Sequence, residues 1–227
     1  INGKKYPCRA PSMGKSTSEE GLSGELIYIN DLRKLSVDLC KDKIIMIDGR
    51  ATYKNVNAAA KVGAKAVICI QQNRINECIA SNAWGSPTRK TKKLIPDIVS
   101  ISIDNTSFEE IMPMLKDNLN VRIVTNVDTG WRKIPLLIGE VKAFEETEKY
   151  VMFSGHVDSW YYGAMDNGTS NSLQVEVARI AKLNRNKLKR NLKVVFFSGH
   201  SQGRYAGSSW YADNNWLDLH NNCVINI

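Results

Sequence analysis

Apolar residues along this chain fall in short blocks separated by polar, turn-forming stretches, and the blocks alternate between strand and helix signatures. Residues 1–20 are polar and rich in Pro and Gly, which predicts a loop or an irregular edge. Residues 26–29 predict a short strand. Residues 43–48 form a nearly continuous apolar run stopped by Gly49, the pattern of a strand covered on both faces. Residues 53–62 are Ala-rich and predict a small helix, with Gly63 in the place of a helix C-cap. Residues 66–70 predict another buried strand, so strand, helix and strand have the order and length of a parallel crossover. A polar, irregular stretch over residues 71–93 leads to a strand at 98–103. The run Asn105-Thr106-Ser107 then predicts a capped helix start, and residues 121–127 predict a further strand.

Residues 131–135 are the expected boundary, because composition and spacing both change after them. Beyond it, residues 136–141 and 150–153 predict strands on either side of a charged turn. Residues 169–183 predict a helix with Leu173, Val177, Ile180 and Ala181 on one face. Strands are expected again at 192–197 and from 223 onward. The fold class expected is α/β in two domains, 1–134 and 135–227, the second an incomplete, mostly parallel sheet with flanking helices. The opening Ile1-Asn2-Gly3-Lys4-Lys5 has no leader signature, and the chain stops inside an apolar strand, so a fragment of a longer protein is the expectation.

Composition narrows the choices modestly. Hydrophobic residues make up 43% and charged residues 24% of 227 positions, enough for one large core or two modest ones. No apolar run reaches the roughly 18 residues of a membrane span, so none is expected. The net charge is +8, concentrated most densely in Lys182, Arg185, Lys187, Lys189, Arg190 and Lys193. Nothing aromatic interleaves these and no nucleic-acid motif accompanies them, so a solvated connector is expected and no nucleic-acid partner. Five cysteines without a C-x-x-C pair argue against a disulfide framework. The compartment stays open between cytoplasmic and secreted.

The chemistry-bearing residues lie after residue 150. His156 and Asp158 are spaced H-x-D at the end of a predicted strand, where ligands of an open α/β sheet face the binding crevice. A zinc-binding His usually needs a carboxylate to orient its other ring nitrogen, which is the place expected for Asp158. Asp166-Asn167-Gly168 follows just ahead of the predicted helix, within reach of a metal held by His156. Alone, H-x-D is a weak signal, and a loop histidine with satisfied hydrogen bonds is the default reading.

In context, Phe153-Ser154-Gly155-His156-Val157-Asp158-Ser159-Trp160, then Gly163-Ala164-Met165-Asp166-Asn167, then helix and strand, resembles the zinc aminopeptidase family that includes glutamate carboxypeptidase and the transferrin receptor. The resemblance runs from about residue 135 to the end, through Gly203, Gly207 and Ser208. It implies that His156 binds one zinc, that Asp158 orients His156, and that Asp166 bridges two zincs. The first part, in Asn57-Ala58-Ala59-Ala60, Gly63-Ala64-Lys65-Ala66-Val67-Ile68 and Ile95-Pro96-Asp97-Ile98-Val99, resembles the protease-associated domain that family members carry ahead of the H-x-D strand. A peptide substrate and one or two zinc ions in the parent protein are what the resemblance implies.

The chain departs from that family where the general base belongs. The family has a Glu-Glu pair, general base then zinc ligand, after the strand that ends near Phe197. Here His200-Ser201 stand, or Ser201-Gln202 if the longer loop is absorbed earlier; neither register supplies a carboxylate. His200 could replace a ligand, but no general base remains to activate a water. The family's remaining ligands would lie past residue 227. Hydrolysis by this chain is therefore expected to be negligible. A different class competes: Gly199-His200-Ser201-Gln202-Gly203 matches G-x-S-x-G, with Ser201 as a serine-hydrolase nucleophile. A third reading is a non-catalytic interaction module, with Trp160-Tyr161-Tyr162 beside the crevice. Uncovered strand edges make a homo-oligomer a further expectation.

Overall fold

The early apolar blocks become a five-stranded sheet. The computed structural model describes residues 1–227, apart from the side chain of Asp117. Two compact units emerge: Ile1–Ala83 with Pro87–Trp131, and Trp84–Ser86 with Arg132–Ile227. In chain order the first contains β1 (Leu22–Ile29), α1 (Val37–Cys40), β2 (Ile44–Asp48), α2 (Tyr53–Lys61), β3 (Ala66–Gln71), β4 (Val99–Asp104), α3 (Asn105–Ile111) and β5 (Asn120–Ile123). The sheet order is β4-β3-β2-β1-β5, parallel throughout except for antiparallel β5.

Burial on both faces explains the continuous apolar runs. Ile44, Met46, Ile68 and Ile101 point into one core, while Ile45, Ile47, Val67 and Cys69 point into the other with Val56 and Ala59 of α2. Side chains start the short helices: Ser36 Oγ accepts from Leu39 N, and Asp104 Oδ1 accepts from Ser107 N at 2.8 Å.

Two strand expectations need correction. β1 begins at Leu22, because Leu22 to Glu25 pair antiparallel with β5; their polar Ser23, Gly24 and Glu25 hide the strand from an apolar pattern. The strand expected over 121–127 ends at Ile123. Beyond it, Thr125 and Val127 bond to Thr17 and Ser16 largely through hydroxyls: Thr125 N reaches Thr17 Oγ1 at 3.1 Å and Val127 N reaches Ser16 Oγ at 2.8 Å. The alternation persists there while the ladder does not.

The second unit holds β6 (Leu137–Val141), β7 (Tyr150–His156), an irregular turn (Ala164–Thr169) running into α4 (Ser170–Leu183), β8 (Asn191–Phe197), α5 (Ala206–Asn214), α6 (Trp216–Asn222) and β9 (Cys223–Asn226). Its sheet order is β6-β8-β7-β9, with β7 parallel to both β8 and β9 and β6 antiparallel to β8. Tyr150, Met152, Val195, Phe197 and Tyr211 form its core. Among the described residues no helix is long and apolar enough to cross a membrane.

The face of α4 also differs from expectation. Leu173 and Ile180 are 56% and 48% exposed, while Gln174 is 1% exposed. Val177 and Ala181 of the expected face are partly buried, and the covered stripe runs through Asn171, Gln174, Ala178 and Ala181, turned away from Leu173 and Ile180. Small and amide side chains let it approach β7 closely at Gly155.

Candidate functional site

His156 is the last residue of β7, and the backbone around it fixes its tautomer. Its Nδ1 lies 2.7 Å from the Asp158 carbonyl oxygen. A carbonyl only accepts, so Nδ1 carries the proton and donates it. Nε2 faces Asp166 Oδ1 at 3.0 Å. An imidazole lone pair and a carboxylate oxygen that close repel one another unless a positive charge, a proton or a metal ion, lies between them. This pair therefore has the donor chemistry of two metal ligands.

Asp166 is delivered by the turn ahead of α4. Gly163 takes a left-handed conformation (φ +62°), and its carbonyl accepts from Gly168 N at 2.8 Å. Asn167 Nδ2 donates to the His156 carbonyl at 3.1 Å, which ties the turn to the end of β7. The Asp166 side chain stays largely exposed, open to a ligand from solvent.

The Asp158 carboxylate points elsewhere than the H-x-D resemblance implies. Its Oδ1 is 3.9 Å from His156 Nδ1, beyond hydrogen-bond distance. It accepts instead from His200 N at 3.1 Å and Ser201 N at 2.7 Å. Asp158 thus orients His156 through its carbonyl and clamps the loop after β8 through its carboxylate.

That clamp places the His200 ring flat on His156, with centroids 3.9 Å apart and planes within 6°. Burial and the facing His156 hold the His200 imidazole below its ordinary pKa, in the neutral form that can donate a lone pair. Lone pairs of parallel rings lie in parallel planes, so in this arrangement the two nitrogens do not converge on one ion. Tyr205 meets His200 edge-on at 4.6 Å, and Trp84 packs on Tyr205 at 4.3 Å. Gly85 N donates to the Arg204 carbonyl at 2.7 Å, which fixes the Trp84 turn.

The structure brings His156, Asp158, Asp166 and His200 to one crevice, at the carboxyl ends of β7 and β8. A zinc site takes three or four protein ligands. Among the described residues no group of three His, Cys, Asp or Glu side chains is arranged to hold a metal ion. The His156–Asp166 pair fits zinc as part of a ligand set, and the set is not complete in these residues. Ser201 is 3% exposed and its Oγ has no hydrogen-bond partner among the described residues. A nucleophile elbow needs an exposed hydroxyl beside a base, so the serine-hydrolase reading gains no support. Pattern reading missed Trp84 and Tyr205; no local signal ties a Trp so far upstream to this crevice. A groove of about 650 Å³ elsewhere in the unit is lined by Glu140, Lys142, Glu146, Tyr150, Lys193 and Asp218, among others, and by neither His156 nor Asp166.

Residues 137–227 match the model of peptidase family M28. Carboxypeptidase Q from Xenopus laevis is 26% identical over 229 residues, covering 93% of this chain and 46% of that protein. Transferrin receptor protein 1 from Gallus gallus is 29% identical over 91 residues, 40% of this chain and 12% of the receptor. Among solved structures, a zinc aminopeptidase from Bacillus subtilis superposes with a TM-score of 0.77 at 22% identity, covering 99% of this chain and 53% of that one. That likeness is one of fold: mixed α/β with a mostly parallel sheet. The chain spans about half the length of the Xenopus relative, 46%.

Proposed function

We propose that this chain is a fragment of a zinc-dependent exopeptidase, a protease-associated domain over residues 1–134 followed by a zinc-binding part over 135–227, and that by itself it does not hydrolyse peptides. The observation that carries the reading is the His156 Nε2 to Asp166 Oδ1 contact at 3.0 Å, with Nδ1 already committed to the Asp158 carbonyl. In the whole protein the substrate is a peptide cleaved near one end.

Zinc, when bound, supplies polarisation of a peptide carbonyl and activation of a water. The chain's own residues do the holding. His156 and Asp166 offer donors, and the Asp158 carbonyl keeps the His156 proton on Nδ1. His200 is a third candidate donor, which reaches the same ion only if its ring turns out of the stack. The carboxylate that serves the family as general base has no counterpart here: the loop from Ser198 to Ser208 contains no carboxylate.

The protease-associated assignment is supported by the first unit's parallel β1–α1–β2–α2–β3–β4 arrangement and by the motifs it shares with that domain. The edge strand β9 leaves Val224 and Ile225 more than half exposed, which supports self-association of the isolated chain.

Zinc content of the purified chain, with and without His156→Ala, tests the reading. About one zinc per chain in the wild type and none in the variant is expected, with no turnover of aminoacyl or peptide substrates by either. A wild-type chain without zinc, or robust zinc-dependent hydrolysis, would overturn it.

A further inference from the structure

Behind His156 lies a second polar cluster that the zinc reading does not use. Gln174, near the start of α4, is 1% exposed, yet neither its Oε1 nor its Nε2 has a hydrogen-bond partner among the described residues. Asn171 Oδ1, three residues earlier on the same helical face, is likewise buried without one. Buried amide atoms in folded proteins are nearly always paired, with protein or with ordered water.

Gly155, next to His156 on β7, is what makes room for them. A Cβ built there would lie 3.1 Å from Gln174 Oε1, 3.2 Å from Gln174 Nε2 and 3.2 Å from Asn167 Nδ2. Two carboxamides therefore crowd the strand where any other residue would place a methyl group. One of them, Asn167, already holds the His156 carbonyl at 3.1 Å and belongs to the turn that presents Asp166.

We propose that Gln174, Asn171 and Asn167 enclose at least one buried water molecule that bridges α4 to β7 and braces the turn carrying Asp166. The unpaired atoms comprise two acceptors and one amide donor. A water molecule donates twice and accepts from an N–H, and buried waters typically make about three such bonds. An unpaired N–H donor lies among the acceptors, so the cluster matches a ligand that both donates and accepts. An apolar helix face would pack β7 without this water.

The water itself does not depend on the zinc reading; its effect on zinc affinity rests on that reading. Two measurements on the 227-residue chain separate them. Water-to-protein NMR cross-relaxation in the wild type is expected to show a long-lived water at the Gln174 and Asn167 side-chain amides, lost in Gln174→Leu. The same variant is expected to melt a few degrees lower, because Asn171 loses its bridge, and to bind zinc about tenfold more weakly while His156→Ala abolishes binding. Absence of the long-lived water in the wild type, or a Gln174→Leu chain that melts higher, overturns the proposal; the wild-type measurement decides even if the variant does not fold. A wild type that binds no zinc but shows the water sinks the zinc reading alone.

Discussion

The Asp158 carboxylate lies 2.7 Å from the backbone amide of Ser201 and 3.9 Å from the imidazole of His156. The residue that the H-x-D spacing marks as a histidine partner therefore spends its charge on a loop from another strand. Its carbonyl takes over the orienting role. Loop anchoring and, on the proposed zinc reading, ligand orientation fall to different atoms of one residue, which makes them separable.

Asp158→Asn should weaken the loop clamp and leave His156 oriented. Losing a charge-assisted contact to two amides is expected to lower stability by about 1–2 kcal/mol in urea melts. Zinc affinity should fall less than about threefold, because the carbonyl that holds Nδ1 is unchanged. A loss of about 10–100-fold, the usual effect of removing a ligand's orienting partner, would return that role to the carboxylate.

Ser201→Ala removes a buried hydroxyl that has no partner. Stability should stay level or rise by up to about 1 kcal/mol, since no hydrogen bond is lost and a polar atom leaves the interior. Fluorophosphonate should label neither form. Labelling of the wild type, lost on substitution, would revive the nucleophile elbow.

Gly163→Ala strains the turn that carries Asp166. The backbone there is left-handed, with φ +62°, and a new Cβ would overlap the Ser159 side chain. The left-handed conformation alone costs a non-glycine residue about 1–2 kcal/mol, and the overlap adds to it. Thermal melts should show the destabilisation, and zinc titration should show weakened binding in the fraction that remains folded.

His200 should make stability depend on pH. Burial and the facing His156 lower its folded-state pKa below the ordinary value near 6.5. The unfolded chain then binds the proton more tightly than the folded one, so stability is fully present above about pH 6.5 and falls as pH drops through the folded value. Urea midpoints at pH 7.5 and at about pH 5 should differ in that direction for the metal-free chain. His200→Ala should flatten the difference, and an NMR titration of the His200 ring should place its midpoint below that of a free imidazole.

Much of the fold was legible in the chain because burial on two faces writes a continuous apolar run. Residues 44–48 and 66–71 show this most plainly, with both faces covered by α2 and α3 and their neighbours. Where one side of an element carries polar residues for a reason other than solvent, the pattern misleads. Leu22–Ile29 hides half its length behind Ser23, Gly24 and Glu25, and α4 buries Gln174 while exposing Leu173. For the site, the cluster of His156, Asp158, Asp166 and His200 could be anticipated from motif order along β7, the turn and β8. The division of labour within Asp158 could not, because no side-chain pattern records which backbone amides a carboxylate will meet. Trp84 was invisible for a related reason: its place beside Tyr205 depends on a turn far upstream in the chain.

The clamp from Asp158 grips main-chain N–H groups, which every residue except proline possesses. The clamp itself therefore survives a change of side chain at positions 200 and 201, provided neither becomes proline. What folding asks of those two positions comes instead from burial of Ser201 and from the stacking of His200 on His156.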